Sequence, residues 1–190
     1  ELPGIETTTG PLGQGLGNGL GMAISEQILR TKYGKEVFNH FTYIIAGDGC
    51  LMEGISHEFA SLSGHLGLSN LILIYDDNKI SIDGPTSLTM SDNTIERFNS
   101  LGWHTLSVDG YSFDEIDKAI LIAKSVLKPS LIVCKTVIGK GSPNKNNTAL
   151  SHGAPLGEEE IDKARNAMNW PYVKFEIPES ILEDWRKVGK

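Results

Sequence analysis

The sequence lacks the features that mark disulfide-stabilised, membrane-spanning and nucleic-acid-binding proteins. Its 190 residues include two cysteines, too few for a disulfide framework, and this favours a reduced, cytoplasmic setting. No run of eighteen apolar residues occurs, so no membrane partner is expected, and the opening ELPGIETTTG lacks the basic and apolar segments of a signal peptide. The net charge of −7 argues against nucleic acid as a partner, because nucleic-acid-binding surfaces are basic.

Several familiar site motifs are missing as well. Neither the G-x-G-x-x-G pattern of dinucleotide-binding folds nor the G-x-x-x-x-G-K-[ST] pattern of P-loops is present. Cys50 has no histidine at a spacing that would suggest an activated nucleophile, and Cys134 lies in an apolar run typical of a core strand. The histidines show no zinc-ligand spacing either with one another or with Asp48.

Glycine, in contrast, is abundant near the N-terminus, in GPLGQGLGNGLGMA at residues 10–23. Three leucines at a spacing of four predict a helix over about 14–33 with one apolar stripe: Leu12, Leu16 and Leu20. The glycines form two rows on this helix that would allow close approach of a backbone or a ligand, one of Gly13, Gly17 and Gly21 and one of Gly15 and Gly19. A flexible linker is the alternative, but the leucine stripe and the near absence of serine argue against it.

Strand-like and helix-like segments alternate along the rest of the chain. Apolar runs predict strands at 41–46, 71–75, 103–110 and 131–139, and helical patterns occupy 53–66, 112–127, 157–168 and 178–187. Ser112 and Glu115 have the spacing of a capping box at the start of one helix. Near-continuously apolar strands alternating with helices predict an α/β fold, a parallel sheet with helices on both faces, whose ligands bind at the carboxyl ends of the strands.

Two predicted strand ends carry residues suited to a hard cation. Asp48 follows the first strand between two glycines in a predicted tight loop, and Asn78 follows the second strand thirty residues later. A carboxylate and an amide oxygen at adjacent strand ends suit Mg²⁺, which keeps further positions for phosphate and water. Each motif alone is more often an ordinary turn. An EF-hand beginning at Asp76 is excluded, because Ser81 and Ser87 stand where it needs glycine and glutamate.

A strand ending in GDG, a helix and an asparagine thirty residues on together resemble the diphosphate–metal motif of thiamine-diphosphate enzymes. Four segments resemble the transketolase family in particular, over residues 4 to about 160: GIETTTGPLGQGLGNGLGMA, GDGCLMEGISHE, NLILIYDDNKISIDG and SHGAPLG. The resemblance implies the thiamine-diphosphate-binding fold and transfer of a two-carbon ketol unit from a ketose phosphate to an aldose phosphate in the pentose phosphate pathway. It also implies thiamine diphosphate with Mg²⁺, Ca²⁺ or Mn²⁺, sugar-phosphate substrates, and a cytoplasmic homodimer with the cofactor site at the subunit interface.

The resemblance further implies roles for individual residues. The divalent ion would be bound by Asp48, Asn78 and the backbone carbonyl of Ile80, and Gly49 would donate its N–H to the diphosphate. His152, a residue that would otherwise be expected in solvent, would lie beside the diphosphate and the reacting end of the substrate as a catalytic residue. The other implied cofactor-site residues are Gly10, Pro11 and Leu12 along the aminopyrimidine ring, and Glu53 and Glu58 in an acidic cluster between the subunits. The glycine rows of the first helix would face largely the second subunit.

The same resemblance implies that residues 1–190 form part of the diphosphate-binding domain of a longer enzyme, with an interdomain linker beginning within 170–190. The pyrimidine-binding domain and the histidines that the family places before GIETTTG are absent, so we expect this chain alone to be inactive. Two alternatives stay open. One is a non-catalytic N-terminal subunit of a split transketolase, and the other is another thiamine-diphosphate enzyme such as dihydroxyacetone synthase or deoxyxylulose-phosphate synthase.

Overall fold

The computed structural model describes residues 4–188, in which helices and strands alternate. The helices are α1 (Gln14–Tyr33), α2 (Asp48–Met52), α3 (Gly54–Leu66), α4 (Thr94–Ser100), α5 (Phe113–Ser125), α6 (Glu158–Ala167) and α7 (Glu179–Val188). The strands are β1 (Thr42–Gly47), β2 (Leu71–Asp77), β3 (Ile80–Ser81), β4 (Gly84–Pro85), β5 (His104–Asp109) and β6 (Ser130–Lys135). Single turns of 3₁₀ helix occupy Thr86–Leu88 and Ala149–Ser151.

Four of the strands form one sheet in the order β1-β2-β6-β5, and every neighbouring pair is parallel. In the register, Gly47 lies opposite Asp76, and Asp76 lies opposite Cys134. The carboxyl ends of the strands therefore meet at one edge of the sheet. The predicted α/β fold with a parallel sheet is confirmed.

Each face of the sheet has its own core. Leu71, Leu73 and Tyr75 of β2 pack toward α1, α3 and α4, whereas Ile72 packs toward α5. The handedness of parallel connections explains this division, because β1→β2 and β2→β5 run one way across the sheet and β5→β6 returns. Right-handed connections place helices on opposite faces when their direction across the sheet reverses.

The face that α5 covers remains open at β1. Ile44 is buried, but its neighbours Tyr43 and Ile45 are 46% and 79% exposed on the opposite side of the strand. The predicted helices on both faces of the sheet are present, and they bury most residues of β2 and β6. At β1 one face stays uncovered within the described residues.

Helix α1 packs closely against β1, and glycines on the helix make this close contact possible. A Cβ at Gly19 would lie 2.3 Å from Ile44 Cδ1, whereas a Cβ at Gly21 would meet nothing within 4 Å. Gly13 has a φ of 80°, and a Cβ there would lie 2.6 Å from Ile55 Cγ2. For Gly13 and Gly19 the expected contact with a second subunit is therefore corrected, since their close neighbours belong to this chain.

Several local predictions needed correction. In place of the tight loop expected at residues 47–49, β1 ends at Gly47 and α2 begins directly at Asp48. Helix α4 and the small β3–β4 hairpin were not predicted. Helix α4 starts where the Asn93 side chain accepts hydrogen bonds from the N–H groups of Ile95 and Glu96, at 3.1 and 3.3 Å. The Ser112 hydroxyl caps Glu115 N–H as predicted, at 3.3 Å, but the Glu115 carboxylate accepts from Asp109 N–H rather than completing a capping box.

The C-terminal part of the described chain carries the short helices expected there, α6 and α7. Helix α7 has no buried residue. Gly189 and Lys190, the end of the predicted linker region, lie outside the described residues. Within residues 4–188, none of the helices is long and apolar enough to cross a membrane.

Candidate functional site

Asp48 is a buried carboxylate at the junction of β1 and α2, and only one of its two oxygens accepts a hydrogen bond from the described residues. It is 3% exposed, and its Oδ1 accepts a hydrogen bond from the Tyr75 hydroxyl at 2.6 Å. Its Oδ2 is buried without a hydrogen-bond partner among the described residues. Burial raises the pKa of Asp48, while the hydrogen bond from Tyr75 and the facing N–H of Asn78 lower it. A buried carboxylate oxygen without a donor is costly, and a bound cation would remove that cost.

Tyr75 lies beneath Asp48 on the neighbouring strand, and it is 1% exposed. Burial raises the pKa of its hydroxyl, and the Asp48 carboxylate raises it further, so the group remains a hydrogen-bond donor. The hydroxyl oxygen also lies 3.1 Å from Asp77 Oδ1, which in turn lies 2.8 Å from Lys79 Nζ. Two buried carboxylates thus share one tyrosine, and the second is also paired with a lysine.

Asn78 and Ile80 form a tight turn just beyond the end of β2. The Asn78 Oδ1 accepts from Ile80 N–H at 3.0 Å, and its Nδ2 donates to Asp76 Oδ2 at 3.1 Å, which fixes the amide orientation. An amide oxygen has two lone pairs, so one remains for another ligand. Thr86 N–H donates to the Lys79 carbonyl at 2.9 Å, so the adjacent Ile80–Pro85 pair is a non-hydrogen-bonded pair and the Ile80 carbonyl takes no ladder bond from β4.

The start of α2 lies beside the predicted ring-binding residues. Gly49 is in the first turn of α2, where backbone N–H groups lack partners within the helix. A Cβ at Gly49 would lie 3.1 Å from Leu12 Cδ1, so the structure brings these two predicted cofactor residues together. Gly10, Pro11 and Leu12 are exposed, which leaves this surface accessible.

The donor set fits Mg²⁺ bound with a diphosphate. It comprises a carboxylate, an amide and a carbonyl oxygen, and Mg²⁺ favours such hard ligands while retaining positions for phosphate and water. Within residues 4–188 no cluster of three or more His, Cys, Asp or Glu side chains could hold a metal ion. The predicted set contains only one side chain of those types, Asp48, so it would depend on ligand oxygens to complete the coordination.

His152 is an exposed residue directly after the 3₁₀ turn at Ala149–Ser151. Among residues 4–188, no hydrogen bond connects its side chain with Asp48. The loop before His152 is anchored by Glu160, a buried carboxylate at the start of α6. Glu160 accepts from Asn144 N–H and Nδ2 at 2.7 and 2.8 Å, and from the Ser142 hydroxyl. These hydrogen bonds, from Ser142 first and then Asn144, lower the pKa of Glu160 to about 2. The His152 loop is therefore folded by its own polar contacts.

The two glutamates predicted to lie between subunits occupy different positions. Glu53 immediately precedes α3, and a Cβ at Gly13 would lie 3.1 Å from its Cβ. Glu58 is on α3, and both glutamates are exposed. Their role in a cluster across a dimer stays a prediction.

Three residues of this region were missed from the sequence: Tyr75, Asp77 and Glu160. Tyr75 carried a usable signal, because a tyrosine in an otherwise aliphatic strand needs a partner for its hydroxyl. Asp77 and Glu160 carried none, since Asp77 is one of two consecutive aspartates, Glu160 is one of three consecutive glutamates, and only packing selects the buried one.

Comparison with known proteins then decides the family. The family described as "Transketolase, thiamine diphosphate binding domain" matches residues 1–190. The chain belongs to the transketolase family. A transketolase from Buchnera aphidicola is 52% identical over 190 residues, covering 97% of this chain and 29% of that protein. Transketolase 2 of Escherichia coli is 53% identical over 188 residues, covering 96% of this chain and 28% of that protein.

Solved transketolase structures share the fold. The Campylobacter jejuni transketolase superposes with a TM-score of 0.89 at 44% identity, covering 93% of this chain and 28% of the other. The Pichia stipitis transketolase, in complex with sedoheptulose-7-phosphate, gives a TM-score of 0.91 at 42% identity, covering 98% and 28%. The chain thus spans less than a third of the length of these transketolases.

Proposed function

We propose that this chain supplies the thiamine-diphosphate and Mg²⁺ site of a transketolase. The whole protein would transfer a two-carbon ketol unit from a ketose phosphate to an aldose phosphate, a reaction of the pentose phosphate pathway. Residues 1–190 would be part of its diphosphate-binding domain, with a linker beginning within 170–190. By itself the chain would be inactive, because the second wall of the cofactor cleft would lie on other sequence.

The observation that best supports this proposal is the unpartnered Oδ2 of buried Asp48, beside the start of α2. Leaving a buried acceptor unsatisfied costs about 1–3 kcal/mol, so this oxygen favours a ligand that satisfies it. A divalent cation shared with a diphosphate would satisfy this oxygen. Asn78 Oδ1 and the Ile80 carbonyl would be the other protein ligands.

The remaining site residues would bind and orient the cofactor and the substrate. Gly49 would donate its N–H to a phosphate oxygen, and residues 10–12 would lie along the aminopyrimidine ring. His152 would hydrogen-bond to phosphate or substrate oxygens from its exposed loop. Bound thiamine diphosphate would supply the electron sink needed to break and form the carbon–carbon bond, while the protein provides position and charge.

The proposed assembly is a cytoplasmic homodimer with the cofactor site at the subunit interface. The exposure of Glu53 and Glu58 is consistent with this, because both would then face another chain. Sugar phosphates are the proposed substrates, in keeping with the sugar phosphate bound in the Pichia stipitis structure.

The metal assignment can be tested with Asp48→Ala in the whole protein. We expect Mg²⁺-dependent affinity for thiamine diphosphate, measured by calorimetric titration, to fall more than tenfold, about 1.4 kcal/mol, because neither water nor an amide replaces the charge. Asn78→Ala should behave similarly and Asn78→Asp less severely, since the latter keeps an oxygen ligand.

Asp109→Ala is the matched control, because Asp109 also ends a strand of the same sheet but is exposed. It should bind with wild-type affinity. Wild-type affinity in Asp48→Ala would instead refute the metal assignment.

A further inference from the structure

The hydrogen bonding around Tyr75 determines which oxygen of Asp48 remains free. Tyr75 is 1% exposed, and its hydroxyl oxygen lies between two carboxylates, 2.6 Å from Asp48 Oδ1 and 3.1 Å from Asp77 Oδ1. A phenol has one hydrogen to donate. The shorter contact is the one with the length of a strong O–H···O⁻ bond, so the hydrogen belongs to Asp48.

Lys79 explains why Asp77 does not compete for that hydrogen. Its Nζ lies 2.8 Å from Asp77 Oδ1, the same oxygen that Tyr75 approaches. Asp77 therefore has a charged donor of its own. Lys79 itself is held at a φ of 63°, in the turn between the two predicted metal ligands Asn78 and Ile80.

We propose that Tyr75 is a positioning residue that fixes the Asp48 carboxylate so that it offers a single oxygen, Oδ2, to a divalent cation. The proposal rests on the function proposed above. The tyrosine takes one lone pair of Oδ1 and holds the carboxylate in one orientation, so coordination through Oδ2 alone is favoured over coordination through both oxygens. One-oxygen coordination suits the small octahedral shell of Mg²⁺, whereas Ca²⁺, with its larger and more flexible shell, accepts carboxylates through one oxygen or through both. Tyr75 would thus contribute to selectivity for Mg²⁺ as well as to affinity.

The experiment is Tyr75→Phe in the whole protein, because phenylalanine keeps the buried ring and removes one oxygen. Mg²⁺ and Ca²⁺ affinities are measured by calorimetry at saturating thiamine diphosphate, without reference to turnover. We expect Mg²⁺ affinity to fall by about 10–100-fold, as is typical when the partner that orients a metal ligand is lost. Ca²⁺ affinity should fall less, so the ratio of Ca²⁺ to Mg²⁺ affinity rises.

Tyr43→Phe is the matched control, since Tyr43 lies on the adjacent strand and is 46% exposed. It should leave both affinities unchanged, and thermal unfolding without metal verifies that both variants fold. A merely structural role for Tyr75 would weaken both ions equally, and an unchanged ratio would overturn the proposal. If wild-type protein binds neither ion with thiamine diphosphate, the proposed function fails instead, so the two failures are distinguishable.

Discussion

Exchanging Gly19 for alanine tests whether the glycine-rich helix is built for close contact with its own sheet. A Cβ at Gly19 would lie 2.3 Å from Ile44 Cδ1 and 2.6 Å from Ile44 Cγ1, and Ile44 is 8% exposed. Both distances are far inside van der Waals contact, and the buried isoleucine has little room to move. Gly21, one half-turn further along the same helix, meets nothing within 4 Å and provides the control.

The two substitutions have the same effect on the helix and different effects on packing. Each should gain up to about 1 kcal/mol of helix propensity. Gly19→Ala should also incur overpacking of about 1–3 kcal/mol, whereas Gly21→Ala should not. Propensity cancels in the comparison, so Gly19→Ala should be less stable than Gly21→Ala by about 1–3 kcal/mol.

The assay is urea unfolding of the whole protein, with hydrogen exchange at the amides of α1 and β1 to report the local free energy of opening. Adding Ile44→Val to Gly19→Ala removes Cδ1 and should restore part of the loss. Equal stability of the two glycine variants would refute the packing argument. A loss in Gly21→Ala would show instead that another part of the protein covers this row, as a subunit interface would.

Two further predictions concern the His152 loop. Glu160→Gln should destabilise the protein at neutral pH, because the lowered pKa of about 2 shows that the folded state favours the carboxylate. A carboxylate with a lowered pKa stabilises the fold at pH values above its unfolded pKa of 4.5, and this stabilisation is lost as the pH falls toward about 2. The difference in thermal midpoint between wild type and Glu160→Gln should therefore be constant near pH 6 and smaller at pH 3. A pH-independent difference would contradict this. His152→Ala should leave the unfolding midpoint unchanged and weaken cofactor binding only modestly. In steady-state assays kcat/KM should fall by the factor that corresponds to about 1–3 kcal/mol of transition-state stabilisation for each charge-assisted hydrogen bond lost. His40 is also exposed, and His40→Ala is the control. Wild-type kinetics in His152→Ala would show that His152 has no catalytic role.

The sequence was sufficient to predict the α/β architecture because its strongest signals are local. The leucine spacing before Met22 predicts α1 with the bounds that the structure has, and apolar runs ending at Asp48 and Asn78 mark the carboxyl edge of the sheet. The face coverage of β1 was not predictable. Tyr43 and Ile45 are large and largely apolar like the buried residues of β2, and they are exposed because no helix within residues 4–188 covers that face of β1.

From the sequence, only the proposed metal ligands of the candidate site could be predicted, and not the residues that orient them. Asp48 and Asn78 are marked by glycines and strand ends, but the contacts that orient them join residues distant in the sequence. Tyr75 reaches Asp48 across 27 residues, and the Thr136 hydroxyl reaches Asp76 across 60. Such contacts follow from the strand register, which no local pattern encodes.

The strand order β1-β2-β6-β5 also determines the sequence in which the site can assemble during folding. β1 and β2 are consecutive, so the Asp48–Tyr75 contact closes a loop of 27 residues, whereas Thr136 must close one of 60. Chain entropy alone separates these closures by only about 0.7 kcal/mol. Within residues 4–188, strand β5 pairs only with β6, so β5 joins the sheet together with β6 or after it, and the Thr136–Asp76 contact requires β6 to lie beside β2. The carboxylate and its tyrosine therefore belong to a β1–β2 unit that can form without β6, whereas Thr136 joins it only once β6 pairs with β2.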